Sequence, residues 1–556
     1  MTSATDVAGL TFGAFLDRMA ATHAQRPALV ASDHSSGTPK MRRWTYAELT
    51  RDVQALQWEL AGLGIQPGEP VAVLLSSFAE WVLYLFAITR LGAIFVPINP
   101  RFRSRELRYV LEHSRARTLI GMGTYLGHDY TSIVSEVLGV RGDDGQFSGM
   151  PTMEHLIGVG TLPHSAALDT AQMLQRGRAK RAEKGAPPCS EDPNDTAILF
   201  YTSGTTAFPK GVPLTHANLL PHSVDCGELL GIKAGEKVLS LYPFFGISGG
   251  ANKVLSTLGM GACLVFQDAF RSEEAYDLLG SEECTVVHAV DVQIREMVAI
   301  AEMRGETAAA ERRGTIAFMA GLDERIAREM GPTLGIHRFV HPYGMTETNP
   351  MILRNNLDDP FEVALRPGGW VAPGVKLRIV DSETGEERQP DAPGEIVVSG
   401  PTVTTGYLRD ADANAAAFRG DWFHTGDLGV RTSQGFVFYV GRSKDMLKIG
   451  GFNVAPQELE SVLRAHQGVK DVAVTGGADT RLGEVAVAFV VPHAESSTNE
   501  DMLRDYCKGQ VANFKVPRHV YFVDALPYHT AANGSKLQRH ILRRWASERA
   551  AASGQD

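Results

Sequence analysis

The 556-residue chain predicts an α/β fold, with a large N-terminal domain of helix-covered, mostly parallel sheets and a small β-barrel part at about residues 355–440. Three observations carry this expectation. The length exceeds what a single hydrophobic core organises, so two or more domains are expected. Strand-like and helical patterns alternate from about Phe12 to Gly121, as parallel strands with crossover helices do. From Pro367 to Val440 the pattern changes to short strands and frequent turns, which suits barrel-like or two-layer β-structure.

In chain order, Tyr46 to Leu60 is amphipathic and helical, Val71 to Leu75 is a buried strand, Glu80 to Leu91 is helical and Ile94 to Pro97 is extended. Arg117 to Gly127 has the look of a dinucleotide fingerprint, but its glycines are misspaced and no well-placed acidic residue follows, so it reads as a strand end and a turn. The polar stretch 141–194, with its basic run from Arg176 to Lys184, reads as an irregular surface connection whose charges form a solvated face. Next, the apolar run Ala197 to Tyr201 opens into Thr202-Ser203-Gly204-Thr205-Thr206-Ala207-Phe208-Pro209-Lys210-Gly211. Hydroxyls, a glycine that admits close approach and a terminal lysine suit a loop that grips a polyanion; a plain turn is the competing reading. It is not a Walker loop, because Pro209 and Gly211 stand where that pattern needs Gly and Ser or Thr.

Val238 to Phe245 reads as a strand, Gly246-Ile247-Ser248-Gly249-Gly250 as a turn and Ala251 to Leu258 as a helix. That order matches the nucleophile elbow of serine hydrolases, with Ser248 as nucleophile, although no HGGG-type oxyanion segment precedes it. Thr315 to Gly321 is a strand ending at a glycine, and Tyr343-Gly344-Met345-Thr346-Glu347-Thr348 is a second strand end approaching a cleft. A tyrosine beside glycine can stack on a purine, and a Thr-Glu pair can serve a phosphate and its metal; an ordinary polar strand end is the alternative.

Composition narrows the partners. A formal charge of −10 and the absence of a long basic block give no reason to expect nucleic acid. The five cysteines are scattered, which fits a reduced, cytoplasmic compartment. The N-terminus lacks the basic start and apolar core of a signal peptide. The most apolar window, Trp81 to Ile98, carries Arg90 and Pro97, so a helix followed by a strand is expected and no transmembrane segment.

As letters, TSGTTAFPKG resembles the phosphate loop of the adenylate-forming (AMP-binding) superfamily, with Ala207 in place of that family's second glycine. Further stretches in the family's order strengthen the resemblance: YGMTET at Tyr343–Thr348, TGDLG at Thr425–Gly429, GRSKDMLKIGGFNVAPQELE at Gly441–Glu460 and the lysine closing ANGSK at Lys536. The resemblance implies an acyl-CoA synthetase that uses ATP, Mg²⁺ and CoA. It implies that Thr202, Ser203, Gly204, Thr205, Thr206 and Lys210 hold phosphates, that Gly321 and Tyr343 flank adenine, and that Asp427 and Arg442 hold the ribose. By the same resemblance Thr346 contacts the α-phosphate, Glu347 holds Mg²⁺, and Lys536 bridges substrate carboxylate and α-phosphate.

A small mobile α+β C-terminal lid is implied over residues 442–556, hinged at Lys444, with residues 1–441 as the N-terminal domain and Lys448 facing the active site during thioester formation. The acyl pocket is implied at Phe245, Gly246, Gly250, His288 and Met345; glycine at 246 replaces a gating side chain and leaves room for a broad or branched acid. Ser535 intervenes before Lys536, where most relatives have Gly-Lys. The expected activity is ligation of a hydrophobic carboxylic acid to CoA, releasing pyrophosphate and then AMP. Three rivals stay open at this point: loading of a carrier-protein phosphopantetheine, a serine hydrolase using Ser248, and a non-catalytic nucleotide-binding module. A homodimer is the expected assembly.

Overall fold

A computed structural model of the chain describes residues 3–35, 40–160, 162, 164, 167–202, 209–306, 311–316, 326–442, 445–449, 452–479, 482–494, 496–508, 510–531 and 534–552. Two seven-stranded sheets organise the first part. One runs Ile336–Val340, Arg312–Ile316, Val286–Ala289, Lys237–Ser240, Cys263–Phe266, Pro27–Asp33 and Lys40–Thr45, parallel except for its last pair. The other runs Lys210–Thr215, Thr196–Thr202, Ile94–Pro97, Pro70–Leu74, Thr118–Met122, His155–Val159 and Ala167–Asp169, parallel except for its first pair. The α/β expectation therefore holds.

Helix Ala79–Arg90 contacts strands of both sheets and is buried along its whole length, which is why its sequence is apolar on every face. Its one cation is satisfied inside the protein: Arg90 donates to Gln57 Oε1 at 2.9 Å, Gly13 O at 3.0 Å and Asp17 Oδ2 at 2.7 Å. Among the described residues no helix is long and apolar enough to cross a membrane.

The stretch 141–194 corrects the sequence reading. It adds strands His155–Val159 and Ala167–Asp169 to the second sheet and forms helix Thr170–Lys184, packed on helix Tyr46–Gly62. The basic run is not simply a solvated face. Arg178 grips both oxygens of the buried Asp52 at 2.8 Å, and Arg176 and Lys180 hold the buried Glu59 at 2.8 and 2.6 Å. Acids that would be costly to bury alone are paired from the neighbouring helix, a tertiary arrangement that no local pattern reveals. Arg117–Gly127 behaves as expected, strand Thr118–Met122 leading into a tight hairpin of Thr124–Tyr125 and His128–Asp129.

An antiparallel sheet of eight strands follows, built on a core of Tyr343, Ile352, Leu353, Leu377, Ile379, Ile396, Val398 and Val437. It begins upstream of the expected residue 355, because hairpin Tyr343–Met345 and Asn349–Arg354 pairs with strand Gly368–Val371 and so joins it. A separate five-stranded sheet, Phe452–Val454, Leu447–Ile449, Gly483–Pro492, Val469–Asp479 and His519–Phe522, carries the C-terminal part with helices Pro456–Arg464, Glu500–Lys508 and Arg539–Ala552.

Two local readings change. The strand expected over Val238–Phe245 stops at Ser240, and Gly246–Gly250 is no turn: Ile247–Lys253 is a π-helical segment continuing into helix Val254–Gly259. Close packing explains the glycines there, since a Cβ on Gly250 would lie 1.9 Å from Phe244 O and 2.5 Å from Trp81 Cη2.

Candidate active site

Strands Thr196–Thr202 and Lys210–Thr215 pair antiparallel with Thr202 opposite Lys210, so the sheet clamps both ends of the hydroxyl-rich loop. Ser203, Gly204, Thr205 and Thr206 lie outside the described residues, as do Gly321 and Lys444. The Lys210 ammonium sits 4.6 Å over the Tyr407 ring, a cation–π geometry. The backbone N–H of Leu408 donates to Gly211 O at 2.8 Å, and the Tyr407 hydroxyl donates to Glu347 Oε1 at 3.0 Å. Thr404 N–H donates to Glu347 O at 2.8 Å, while Thr404 Oγ1 donates to Pro213 O at 2.6 Å. Segment 404–408 thus ties the loop strands to Glu347. Tyr407 escaped the sequence reading, its only signal being an aromatic residue just past Thr404-Thr405-Gly406.

Glu347 stands with Thr346 on the short 3-10 turn Thr346–Thr348, at the tip of the hairpin begun by Tyr343. Burial raises its carboxyl pKa above the usual range, partly offset by the Tyr407 hydrogen bond and the charges of Arg442 and Lys210. A half-buried carboxylate whose ionised form is disfavoured by burial is a fitting hard-oxygen ligand for a divalent cation, which would supply the missing charge.

Across the hairpin, the Tyr343 hydroxyl donates to Asp427 Oδ2 at 2.9 Å, and Arg442 Nε pairs with Asp427 Oδ1 at 2.9 Å. Asp427 and Arg442 are cross-strand partners on Trp422–Arg431 and Val437–Arg442, so the sheet register fixes the pair. The Tyr343 ring lies parallel to Tyr439, centroids 5.3 Å apart and planes 17° apart. Burial and the adjacent Asp427 charge push the Tyr343 hydroxyl pKa well up, so it stays a donor. An aromatic ring joined to a carboxylate pinned from two sides fits a nucleoside, the ring for a base and the carboxylate for sugar hydroxyls.

The expected pocket residues are placed as follows. Phe245 and Met345 are half-buried, and Gly246, Gly250 and His288 are buried, His288 on strand Val286–Ala289. Lys448 is exposed on strand Leu447–Ile449, its backbone N–H donating to Glu484 Oε2 at 2.6 Å. Lys536 pairs with His529 in the hairpin of Tyr528–Ala531 and Gly534–Leu537; its side chain lies outside the described residues. Ser248 is buried within the π-helical segment, and among the described residues no histidine or carboxylate is hydrogen-bonded to it, so the hydrolase reading lacks its base.

Comparison with known proteins agrees with this geometry. Residues 16–408 match the family of AMP-binding enzymes and residues 458–533 the AMP-binding enzyme C-terminal domain. The chain is 31% identical over 534 residues to a methyl-dioxo-octahydro-indenyl-propanoyl:CoA ligase of Mycobacterium tuberculosis, covering 96% of this chain and 99% of that protein. The o-succinylbenzoate coenzyme A synthetase of Bacillus subtilis, solved in complex with ATP and magnesium ion, superposes with a TM-score of 0.76 at 26% identity, covering 95% of this chain and 98% of that one. An anthranilate CoA ligase in complex with anthranoyl-AMP has the same fold, with a TM-score of 0.83 at 24% identity over 99% of this chain and 100% of that one. The chain belongs to the AMP-binding, adenylate-forming enzyme family, as an AMP-forming ligase of the acid–CoA ligase class.

Proposed function

We propose that the protein activates a hydrophobic carboxylic acid with ATP as an acyl-adenylate, then transfers the acyl group to CoA. The observation that carries this reading is the paired constellation of Tyr343, Asp427 and Arg442 on one side and Glu347, Tyr407 and Lys210 on the other, joined by a single hairpin. Asp427 and Tyr343 hold the nucleoside, and Thr202, Thr346 and Lys210, with the loop between residues 202 and 210, hold the phosphates. Glu347 would hold Mg²⁺, which supplies charge neutralisation at the phosphates.

A carboxylate oxygen of the acid attacks the α-phosphorus and pyrophosphate leaves. The two reactants are anions, and Lys536 and Lys210 offset their repulsion. In the second step the CoA sulfur attacks the acyl carbonyl, the bond to phosphate breaks and AMP leaves. We assign the hinge to Lys444, between an N-terminal domain to residue 441 and a lid from residue 442, with Lys536 serving the first step and Lys448 the second; separating the steps keeps water from the adenylate. Two of these relatives are named for acids built on rings and another is named a medium-chain acyl-CoA ligase, which supports a roomy, largely apolar pocket beyond Phe245 and Gly246. The protein acts in the cytoplasm under this proposal.

The test is release of pyrophosphate and AMP from ATP and Mg²⁺ across linear, aryl and polycyclic acids, with CoA, with a phosphopantetheinyl carrier, or with neither. Acid-dependent AMP with an acyl-CoA product is expected. Acid-dependent pyrophosphate exchange with product only on the carrier would replace CoA by a carrier protein, and no acid-dependent signal would overturn the reading. Lys536→Ala is expected to abolish adenylate formation yet spare thioester formation from supplied acyl-adenylate, and Lys444→Pro to do the reverse; loss of both steps in either variant counts against this division.

A further inference from the structure

A buried amine ends the π-helical segment that follows Gly246; burial lowers its pKa to about 8, and the charge of Cys226 favours its protonated form. Lys253, its last residue, is 2% exposed, and its Nζ reaches Met351 Sδ at 3.2 Å, a weak acceptor. The carboxylate in this cluster is already taken: Asp225 pairs with Arg354, which also reaches Cys226 Sγ at 3.5 Å. Cys226 in turn lies 3.7 Å from His222 Nε2. His222, Asp225 and Cys226 converge as metal ligands would, but the Arg354 guanidinium contacts two of the three, and a cation there excludes a second one.

On the adjoining Asn252, and on the cross-strand partners His288 and Ser240, polar atoms are buried without a hydrogen-bond partner among the described residues. They are both ring nitrogens of His288, 0% exposed, along with Asn252 Oδ1 and Ser240 Oγ. Burial, reinforced by the positive charge of Lys253, holds His288 neutral. Met351 itself has φ 65°, in the left-handed region, inside strand Asn349–Arg354. That strand packs on the π-helical segment and belongs to the hairpin whose tip carries Glu347. Unpartnered buried polar groups and backbone strain of this kind are retained where a ligand completes them.

We propose that Lys253, with His288 beside it, is a specificity subsite for an acceptor oxygen on the acyl substrate, remote from the carboxylate that reacts: the enzyme's acid carries a second carboxylate or a ketone at its far end. This rests on reading Gly246–Gly250 and His288 as walls of the acyl pocket. Gly250 cannot widen that pocket, because Trp81 fills the space a side chain would take. Selection at this wall therefore comes from charge rather than from volume. An ammonium stripped of water rejects an apolar chain end, since the chain would leave the charge unsolvated, and it rewards an oxygen that replaces the water.

The test uses the full chain and matched acids: hexanoate, octanoate and decanoate, each against its dicarboxylate and against its analogue with a ketone on the penultimate carbon. For at least one length, kcat/KM is expected to favour the acceptor-bearing acid by about 10- to 100-fold, and the two arms show whether carboxylate or ketone is read. In Lys253→Met, of similar volume and without charge, that ratio falls to about one, and the thermal midpoint of the unliganded variant checks that the fold is kept. Binding of the same acids, read as a shift in thermal midpoint, follows the same ratio in the absence of turnover. Preference in binding that Lys253→Met erases, with no AMP released from any acid, would sustain the subsite and overturn the ligase reading for these acids. Turnover with a ratio near one in the wild type, or a ratio that Lys253→Met leaves unchanged, overturns the subsite alone.

Discussion

Tyr407 joins Glu347, the carboxylate proposed to hold the cation, to Lys210, proposed to serve the phosphates, holding the first through its hydroxyl and the second through its ring. The hydrogen bond favours the ionised carboxylate, whereas burial disfavours it. Removing the donor therefore raises the Glu347 pKa further. In Tyr407→Phe the acid limb of the kcat/KM profile for adenylate formation is expected to move to higher pH, with activity at neutral pH down by about 10-fold. An acid limb that stays in place would show that Glu347 is not the titrating group. Asp427 is pinned in the same manner by Tyr343 and Arg442, so both carboxylates of the candidate site are held by neighbours fixed in the antiparallel sheet or its connections.

At the scale of elements, the contact between helices Tyr46–Gly62 and Thr170–Lys184 decides how the second sheet is covered. Gly177 makes it possible: a Cβ there would lie 2.1 Å from Ala55 O, so the helices approach backbone to backbone and bring Arg178 to Asp52. Gly177→Ala is expected to destabilise the protein by about 1–3 kcal/mol through overpacking. A control at Gly62, whose nearest neighbour would be Lys180 Nζ at 3.7 Å, is expected to be close to neutral. Thermal midpoints of the two variants check this, and equal midpoints would contradict the close approach. The π-helical segment Ile247–Lys253 is the second decisive element, because its wider winding brings Gly250 against Trp81 and Lys253 under the hairpin of the site.

The whole molecule is expected to lose stability in acid through histidines buried in the neutral state. His216, 1% exposed, accepts the Phe12 N–H on Nδ1 at 3.1 Å and packs edge-on against the Phe12 ring, tying the N-terminal helix Phe12–His23 to helix His216–Leu229. Burial lowers its pKa from 6.5 to about 4, so the unfolded chain binds the proton more readily than the folded one. Its contribution is complete above pH 6.5 and is lost as pH falls from 6.5 to about 4, an amount on the order of 3 kcal/mol. His341, pushed down to about 3, acts in the same direction. His216→Asn, which keeps an acceptor but does not titrate here, is expected to flatten the fall in thermal midpoint between neutral pH and pH ~4.5; an unchanged slope would assign the acid sensitivity elsewhere.

Read alone, the residues determined the alternation of strands and helices and the change to antiparallel structure, and they singled out Tyr343, Glu347, Asp427 and Arg442 as candidates, which the structure gathers in or beside one antiparallel sheet. These are local or periodic signals: side-chain period, turn chemistry and short runs of letters survive without knowledge of the fold. What the tertiary structure decided depends on partners far apart in sequence. Tyr407 lies 60 residues from Glu347, Arg178 lies 126 residues from Asp52, and Lys253 lies 98 residues from Met351. A basic run looks solvated until the acids it covers are seen to be buried, and a Gly-rich segment looks like a turn until the tryptophan that needs its space is in place. Burial and charge pairing are properties of packing, and only the packed chain shows that Lys253 carries its amine into the interior, where burial lowers its pKa to about 8.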